Sequence, residues 1–129
     1  MGGTKTSHLF KKILLNTAIQ IQGVSKVFTT DDGPLVAFGP ADLDIQEGEF
    51  VSLLGPSGCG KSTLLMMLAG LEKPSSGKIF LNQTPVKSPR NDIGVMFQES
   101  TLVPWRTVLG NIELQLELRG ERPEIFVSK

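Results

Sequence analysis

Cysteine is nearly missing from this sequence. Cys59 is the only one among 129 residues, which excludes an internal disulfide framework and fits a reducing compartment. Histidine is as scarce: His8 stands alone, far from Cys59, so the two supply no zinc site without carboxylates. There is no net charge either. Thirteen basic side chains balance 13 acidic ones, which argues against nucleic-acid binding through a broad basic surface and against a polybasic membrane anchor. Long apolar runs are absent, because Phe50 to Leu54 and Leu64 to Ala69 fall far short of a membrane-spanning helix. Lys11 and Lys12 precede Ile13, Leu14 and Leu15 in the manner of a signal peptide. Asn16, Thr17 and Gln20 break that run, and no small-residue cleavage site follows. Internal repeats and low-complexity tracts are also missing, and the expectation is a cytosolic chain. What is present is ordinary for a globular protein: 40% hydrophobic residues and 14 glycines, in a length that admits one domain or part of one.

Periodicity divides the chain. Residues 1–17 show no pattern and are expected to form a flexible extension ahead of a domain over 18–129. From Ala18, the alternation Ile19-Gln20-Ile21-Gln22, continued by Val24, Val27 and Phe28, predicts a half-exposed strand. The cluster Thr29 to Pro34 predicts a turn into a second, antiparallel strand that includes Leu43 and Ile45, with Glu47-Gly48 as its closing turn. Glu49 to Leu54 is nearly continuous in apolar strand formers and predicts a strand buried on both faces. Leu64, Leu65, Met67, Leu68 and Leu71 have helical spacing, with Gly70 near the stop. Strands are also predicted at Lys78 to Leu81 and at Ile93 to Phe97, with a loop between Pro85 and Pro89. Over Val108 to Leu118 the period fits either a strand or one helix face, the helix having Thr107 as N-cap and Gly120 as stop.

Between the buried-strand pattern and the helical one lies Gly55-Pro56-Ser57-Gly58-Cys59-Gly60-Lys61-Ser62-Thr63, which matches G-x-x-x-x-G-K-[ST]. Glycines let a backbone turn several N–H groups inward as an anion nest, and a following helix points its positive end at the same place. Lys61 adds a point charge for β- and γ-phosphates, and the Ser62 hydroxyl suits Mg2+. The expected ligands are therefore the phosphates of a nucleotide with Mg2+, held by Gly55, Ser57, Gly58, Cys59, Gly60, Lys61, Ser62 and Thr63. Cys59, beside a lysine at a helix start, has the setting of a reactive thiol.

The loop, with Leu64-Leu65 and Ala69-Gly70-Leu71 behind it and Ser76-Gly77 after, resembles the ATP-binding subunits of ABC transporters. A second stretch strengthens the likeness: Val95-Met96-Phe97-Gln98, then Leu102 to Val108 (Leu-Val-Pro-Trp-Arg-Thr-Val) and Asn111-Ile112. This looks like the family's glutamine loop and its junction with a helical subdomain. The Pro-Trp-Arg-Thr-Val version, with Pro89-Arg90 upstream, is most similar to importers of the nitrate, sulfonate and taurine group. The resemblance implies an α/β P-loop NTPase fold of the ABC type with an N-terminal antiparallel β portion, ending within the helical subdomain. It implies that Cys59 is instead a tolerated small residue of the loop, and that Phe28, in Val24-Ser25-Lys26-Val27-Phe28, stacks on adenine, where the bland reading is a core Phe at a strand end. It also implies that Gln98 reaches Mg2+ and the attacking water, so that Lys61 and Gln98 share the catalytic role, and that Trp105 lies near a coupling surface or else simply packs. The implied partners are a transmembrane permease, a second ATP-binding subunit and, indirectly, a substrate-binding protein, at the cytoplasmic face of the plasma membrane.

The family's later motifs do not occur between Gln98 and Lys129: no Leu-Ser-Gly-Gly-Gln, no apolar strand ending in Asp-Glu, no switch histidine. Glu113, Glu117, Glu121 and Glu124 follow no buried strand and take none of those roles. The resemblance therefore implies a partial domain whose apolar segments Phe50 to Leu54 and Ile93 to Phe97 have unpaired edges, and which is not a competent ATPase by itself. Two other readings stay open: a truncated remnant that at most binds nucleotide, and a different P-loop enzyme such as a small kinase or GTPase. Against the latter, the sequence lacks a guanine-reading Asn-Lys-x-Asp and a kinase-type lid.

Overall fold

The alternation that begins near Ala18 becomes a long antiparallel hairpin in the computed structural model, which describes residues 17–99 and 101–121. His8 and Glu124 lie outside the described residues, as does most of the predicted extension. The described residues fall into two compact units, one reaching to Arg90 and one starting at Asn91.

In the first unit, β1 (Thr17–Thr30) and β2 (Gly33–Gln46) pair from Thr30↔Gly33 back to Thr17↔Gln46. The turn between them is only Asp31-Asp32, tighter than the predicted cluster, and the Thr30 hydroxyl donates to the Gly33 carbonyl at 2.8 Å across it. β3 (Ser76–Leu81) pairs with the other edge of β1, and the short β4 (Thr84–Pro85) with β3. The sheet order is β2-β1-β3-β4, antiparallel throughout. Leu43, Ile21 and Ile79 thus form one row across three strands. Strand β4 is not among the predicted strands and ends at Pro85, where the predicted loop begins; it completes its ladder at Phe80↔Pro85, with the proline on an edge strand as its missing N–H requires.

Helix α1 (Lys61–Leu68) covers this row. Leu64 and Met67 are buried with Ile21, Val24 and Ile79, and Ile19, Phe38, Leu43, Leu68 and Val86 pack around them. The helix stops where expected: Gly70 takes φ +73°, its N–H donates to the Met67 carbonyl at 3.1 Å, and that of Leu71 to the Met66 carbonyl at 2.9 Å. This is a Schellman stop, whose left-handed residue favours glycine.

Two predicted strands do not form. Glu49 to Leu54 and Ile93 to Phe97 carry no strand pairing; Phe50 is 94% exposed, Leu54 92% and Met96 97%. A strand needs a partner for its ladder, and neither segment pairs with another strand among the described residues.

The second unit settles the ambiguous tail as a helix, α2 (Val108–Leu118). The Thr107 hydroxyl accepts from the Gly110 N–H at 3.1 Å as its N-cap, and the helix closes at Gly120 as α1 does at Gly70. Asn111 clamps the preceding loop. Its Oδ1 accepts from the Val103 N–H at 2.7 Å, and its Nδ2 donates to the carbonyls of Val103, Arg106 and Thr107. Arg106 adds an ion pair to Glu117 at 2.8 Å. No residue of α2 is buried, so this unit is held by polar contacts more than by a core.

Candidate functional site

The loop that opens at Gly55 hands the chain to α1, and its geometry follows from two residues, Gly60 and Lys61. Gly60 is the N-cap, at φ 91° and ψ 7°, and it is buried. A Cβ there would run into the Ala37 carbonyl oxygen and the Phe38 ring. Ala37 is the extra residue where Val27↔Val36 gives way to Lys26↔Phe38, a bulge in β2. The helix start is therefore seated on a bulged strand by a residue that must be glycine.

Lys61 opens the helix, and its side chain turns back into the loop. Its ammonium donates to the Gly55 carbonyl at 2.8 Å and the Pro56 carbonyl at 2.6 Å, and to the Cys59 sulfur at 3.4 Å. The Cys59 N–H donates to the Pro56 carbonyl at 3.4 Å, so the loop closes around one cation. Cys59 is a free, exposed thiol within this closure. The first helical bond runs from the Leu64 N–H to the Gly60 carbonyl at 2.9 Å. Ahead of it, the first turn of α1 carries no acidic residue and no side-chain cap. The leading N–H groups and the positive end of the helix are thus left for another acceptor. Ser57, Gly58 and Ser62 are exposed at the same end, and Thr63 is half-buried. The Lys61 ammonium, the leading amides of α1 and the Ser57 and Ser62 hydroxyls are the groups here that can donate to an anion. Among the described residues, no cluster of three or more His, Cys, Asp or Glu is placed to hold a metal ion.

Phe28 lies in the same unit. It pairs with Leu35, two residues along β2 from the Ala37 that meets Gly60, a span of about 7 Å along a strand. Its ring is 37% exposed, so it is not the core phenylalanine of the bland reading. The Lys26 ammonium lies 4.8 Å from the ring centroid. The same ammonium donates to Glu72 Oε1 at 2.6 Å and to the Lys73 carbonyl at 2.9 Å. The bond from Lys26, helped by the Lys73 N–H, holds the Glu72 carboxyl below its ordinary pKa, while burial pulls weakly the other way. Neither Lys26 nor Glu72 is singled out by the sequence reading. The available signal is the i, i+2 spacing of Lys26 and Phe28, which places them on one face of a strand.

Gln98 belongs to the second unit, where it is exposed at the end of the unpaired apolar run. Trp105, also of the second unit, is 84% exposed. The polar clamp by Asn111 is a further contribution the sequence reading missed, although its position four residues after the N-cap Thr107 places it on the same helix face.

Comparison with known proteins agrees with this geometry. Residues 38–127 match the family described as ABC transporter. The nitrate import ATP-binding protein NrtD of Synechococcus elongatus is 41% identical over 106 residues, covering 82% of this chain and 38% of that protein. The taurine import ATP-binding protein TauB of Burkholderia pseudomallei is 42% identical over 99 residues, covering 77% and 38%. Among solved structures, the dimeric post-hydrolysis state of the ATP-binding cassette MJ0796, bound to ADP and Pi, superposes with a TM-score of 0.71 at 34% identity, over 78% of this chain and 47% of that one. The chain spans less than half the length of the curated relatives it matches. Among the described residues, no helix is long and apolar enough to cross a membrane. With a glycine-seated helix start, a loop closed on Lys61 and a family match over most of its length, the chain belongs to the ABC transporter family, in its ATP-binding cassette fold.

Proposed function

We propose that the chain is the nucleotide-binding part of an ABC importer's ATP-binding subunit, for nitrate, sulfonate or taurine-like substrates. The observation that carries this reading is the loop closed on Lys61 at an uncapped helix start, which brings an ammonium and free leading amides to one place. The names of NrtD and TauB support the substrate class. Polyphosphate supplies acceptors better than the loop's own carbonyls, so the Lys61 ammonium exchanges Gly55 and Pro56 for β- and γ-phosphate oxygens. The backbone of Gly55 to Thr63 and the leading amides of α1 cradle the same oxygens. The residues fit Mg2+ only together with nucleotide. The Ser62 hydroxyl is the one ligand this loop would offer the ion, and Gln98 is the other residue of the chain that would serve as a ligand. When bound, MgATP supplies the phosphoryl bond whose cleavage drives transport. Phe28 stacks on the base, and Gln98 orients water and senses the permease.

Residues 18–129 are then part of a larger ATP-binding domain that dimerises and docks on a permease at the cytoplasmic face of the membrane, with a substrate-binding protein acting at one remove. Among the described residues no acidic side chain lies in the loop or the first turn of α1 to polarise water, and the chain by itself is not catalytically competent; a turnover assay with Mg2+ and ATP is expected to stay at background. The decisive test is calorimetric titration of ATP against Lys61→Ala, expected to weaken binding about 10- to 100-fold through loss of charge-assisted bonds. Equal affinity in the variant overturns the phosphate-loop reading.

A further inference from the structure

One side chain joins the two ends of the proposed nucleotide site. Lys26 and Phe28 share a face of β1, and the Lys26 ammonium sits over the ring at 4.8 Å. The Lys26 side chain is only 13% exposed, against 37% for Phe28. Its other partners, Glu72 Oε1 at 2.6 Å and the Lys73 carbonyl at 2.9 Å, lie just beyond the Gly70 stop of α1. The helix that begins with Lys61 is therefore tied at its far end to the strand that carries Phe28. Eight helical residues make a rod of about 12 Å, stiff enough to transmit that anchoring to the loop. A cation over one ring face also fixes the ring's tilt through its quadrupole and leaves the opposite face for a flat ligand.

We propose that Lys26 is a positioning residue for the nucleobase: latched to Glu72, it covers one face of Phe28 and presents the other to the purine of ATP, touching neither base nor phosphate itself. The proposal rests on the nucleotide-binding reading above, and it assigns a role that the phosphate loop does not contain. Its consequence is selective. Losing the latch harms recognition of the base and spares recognition of the phosphates.

The test compares ATP with inorganic tripolyphosphate, which has the phosphates and no base, by calorimetry on the purified chain. Lys26→Met keeps the stem and removes the charge. It is expected to weaken ATP about three- to tenfold while tripolyphosphate changes less than about twofold. Lys26→Arg is expected to restore ATP binding to within about twofold, because guanidinium also pairs with carboxylate and stacks on rings. Phe28→Ala should weaken ATP at least as much as Lys26→Met. If Lys26→Met fails to fold, Glu72→Gln reports on the same latch, with a loss for ATP alone of about twofold. Equal weakening of both ligands by Lys26→Met overturns the proposal, since the latch is then merely structural. An effect of Phe28→Ala without one of Lys26→Met overturns it while leaving base stacking intact. If Phe28→Ala changes nothing, the stacking reading falls and takes the proposal with it. If the unsubstituted chain binds neither ligand, the nucleotide-binding reading itself fails.

Discussion

Met67 and Met96 are the same side chain in two different circumstances. Met67, on α1, is 1% exposed and packed among Ile21, Val24, Leu64 and Ile79; Met96 is 97% exposed in an apolar run without secondary structure. Both stand in segments whose sequence pattern is apolar with a clear period. The difference lies in what each segment finds to pack on. The sheet beneath α1 is built on an antiparallel hairpin closed by Asp31-Asp32, which costs little loop entropy, and β3 adds to the free edge of β1 from later in the chain. The run around Met96, like that around Phe50, is patterned for a strand buried on both faces, and that requires neighbours brought from far along a chain. Local pattern sets what a segment tends to form, and the supply of partners decides whether it forms.

The contrast can be broken first at Met67. Met67→Ala removes a fully buried side chain from a small core and is expected to cost about 2–4 kcal/mol in urea unfolding. A loss under about 1 kcal/mol would mean that α1 is not anchored on the sheet as described. Next in size is the second unit, where no α2 residue is buried and Asn111 holds the loop. Asn111→Ala leaves the Val103 N–H and three carbonyls without their side-chain partner, and is expected to cost about 1–2 kcal/mol. Hydrogen exchange should show the loss confined to Val103 to Leu118. A fall in protection across β1 and β3 instead would mean that the units do not fold separately.

What the sequence shows in advance follows the same division. The hairpin, the α1 stop at Gly70 and the caps of α2 at Thr107 and Gly120 rest on local chemistry, and each occurs where the residues say. The phosphate loop is legible for the same reason: its spacing is itself the geometry, from Gly60 at positive φ to the return of Lys61 onto Gly55 and Pro56. The strand patterns at Glu49 to Leu54 and Ile93 to Phe97 mislead, because period reports which faces are apolar and not whether a partner arrives. Lys26 with Glu72 and the bulge at Ala37 under Gly60 are invisible for a different reason. They join positions far apart in sequence, and a single sequence carries no trace of the pairing.

The smallest expected effect is the sharpest check on the comparison. Met96→Ala is the same substitution as at Met67, and it is expected to change unfolding free energy by no more than about 0.5 kcal/mol, as a solvated surface position does. A side chain already in water has no transfer free energy to lose and leaves no cavity. If Met96→Ala instead costs about 2 kcal/mol or more, then some surface covers Met96 in solution. Repeating the measurement at several protein concentrations separates the sources. A cost that grows with concentration places a second copy of the chain on the exposed apolar run, as unpaired strand patterns invite. A cost independent of concentration places the cover within the chain, and the two methionines would then differ in degree and not in kind.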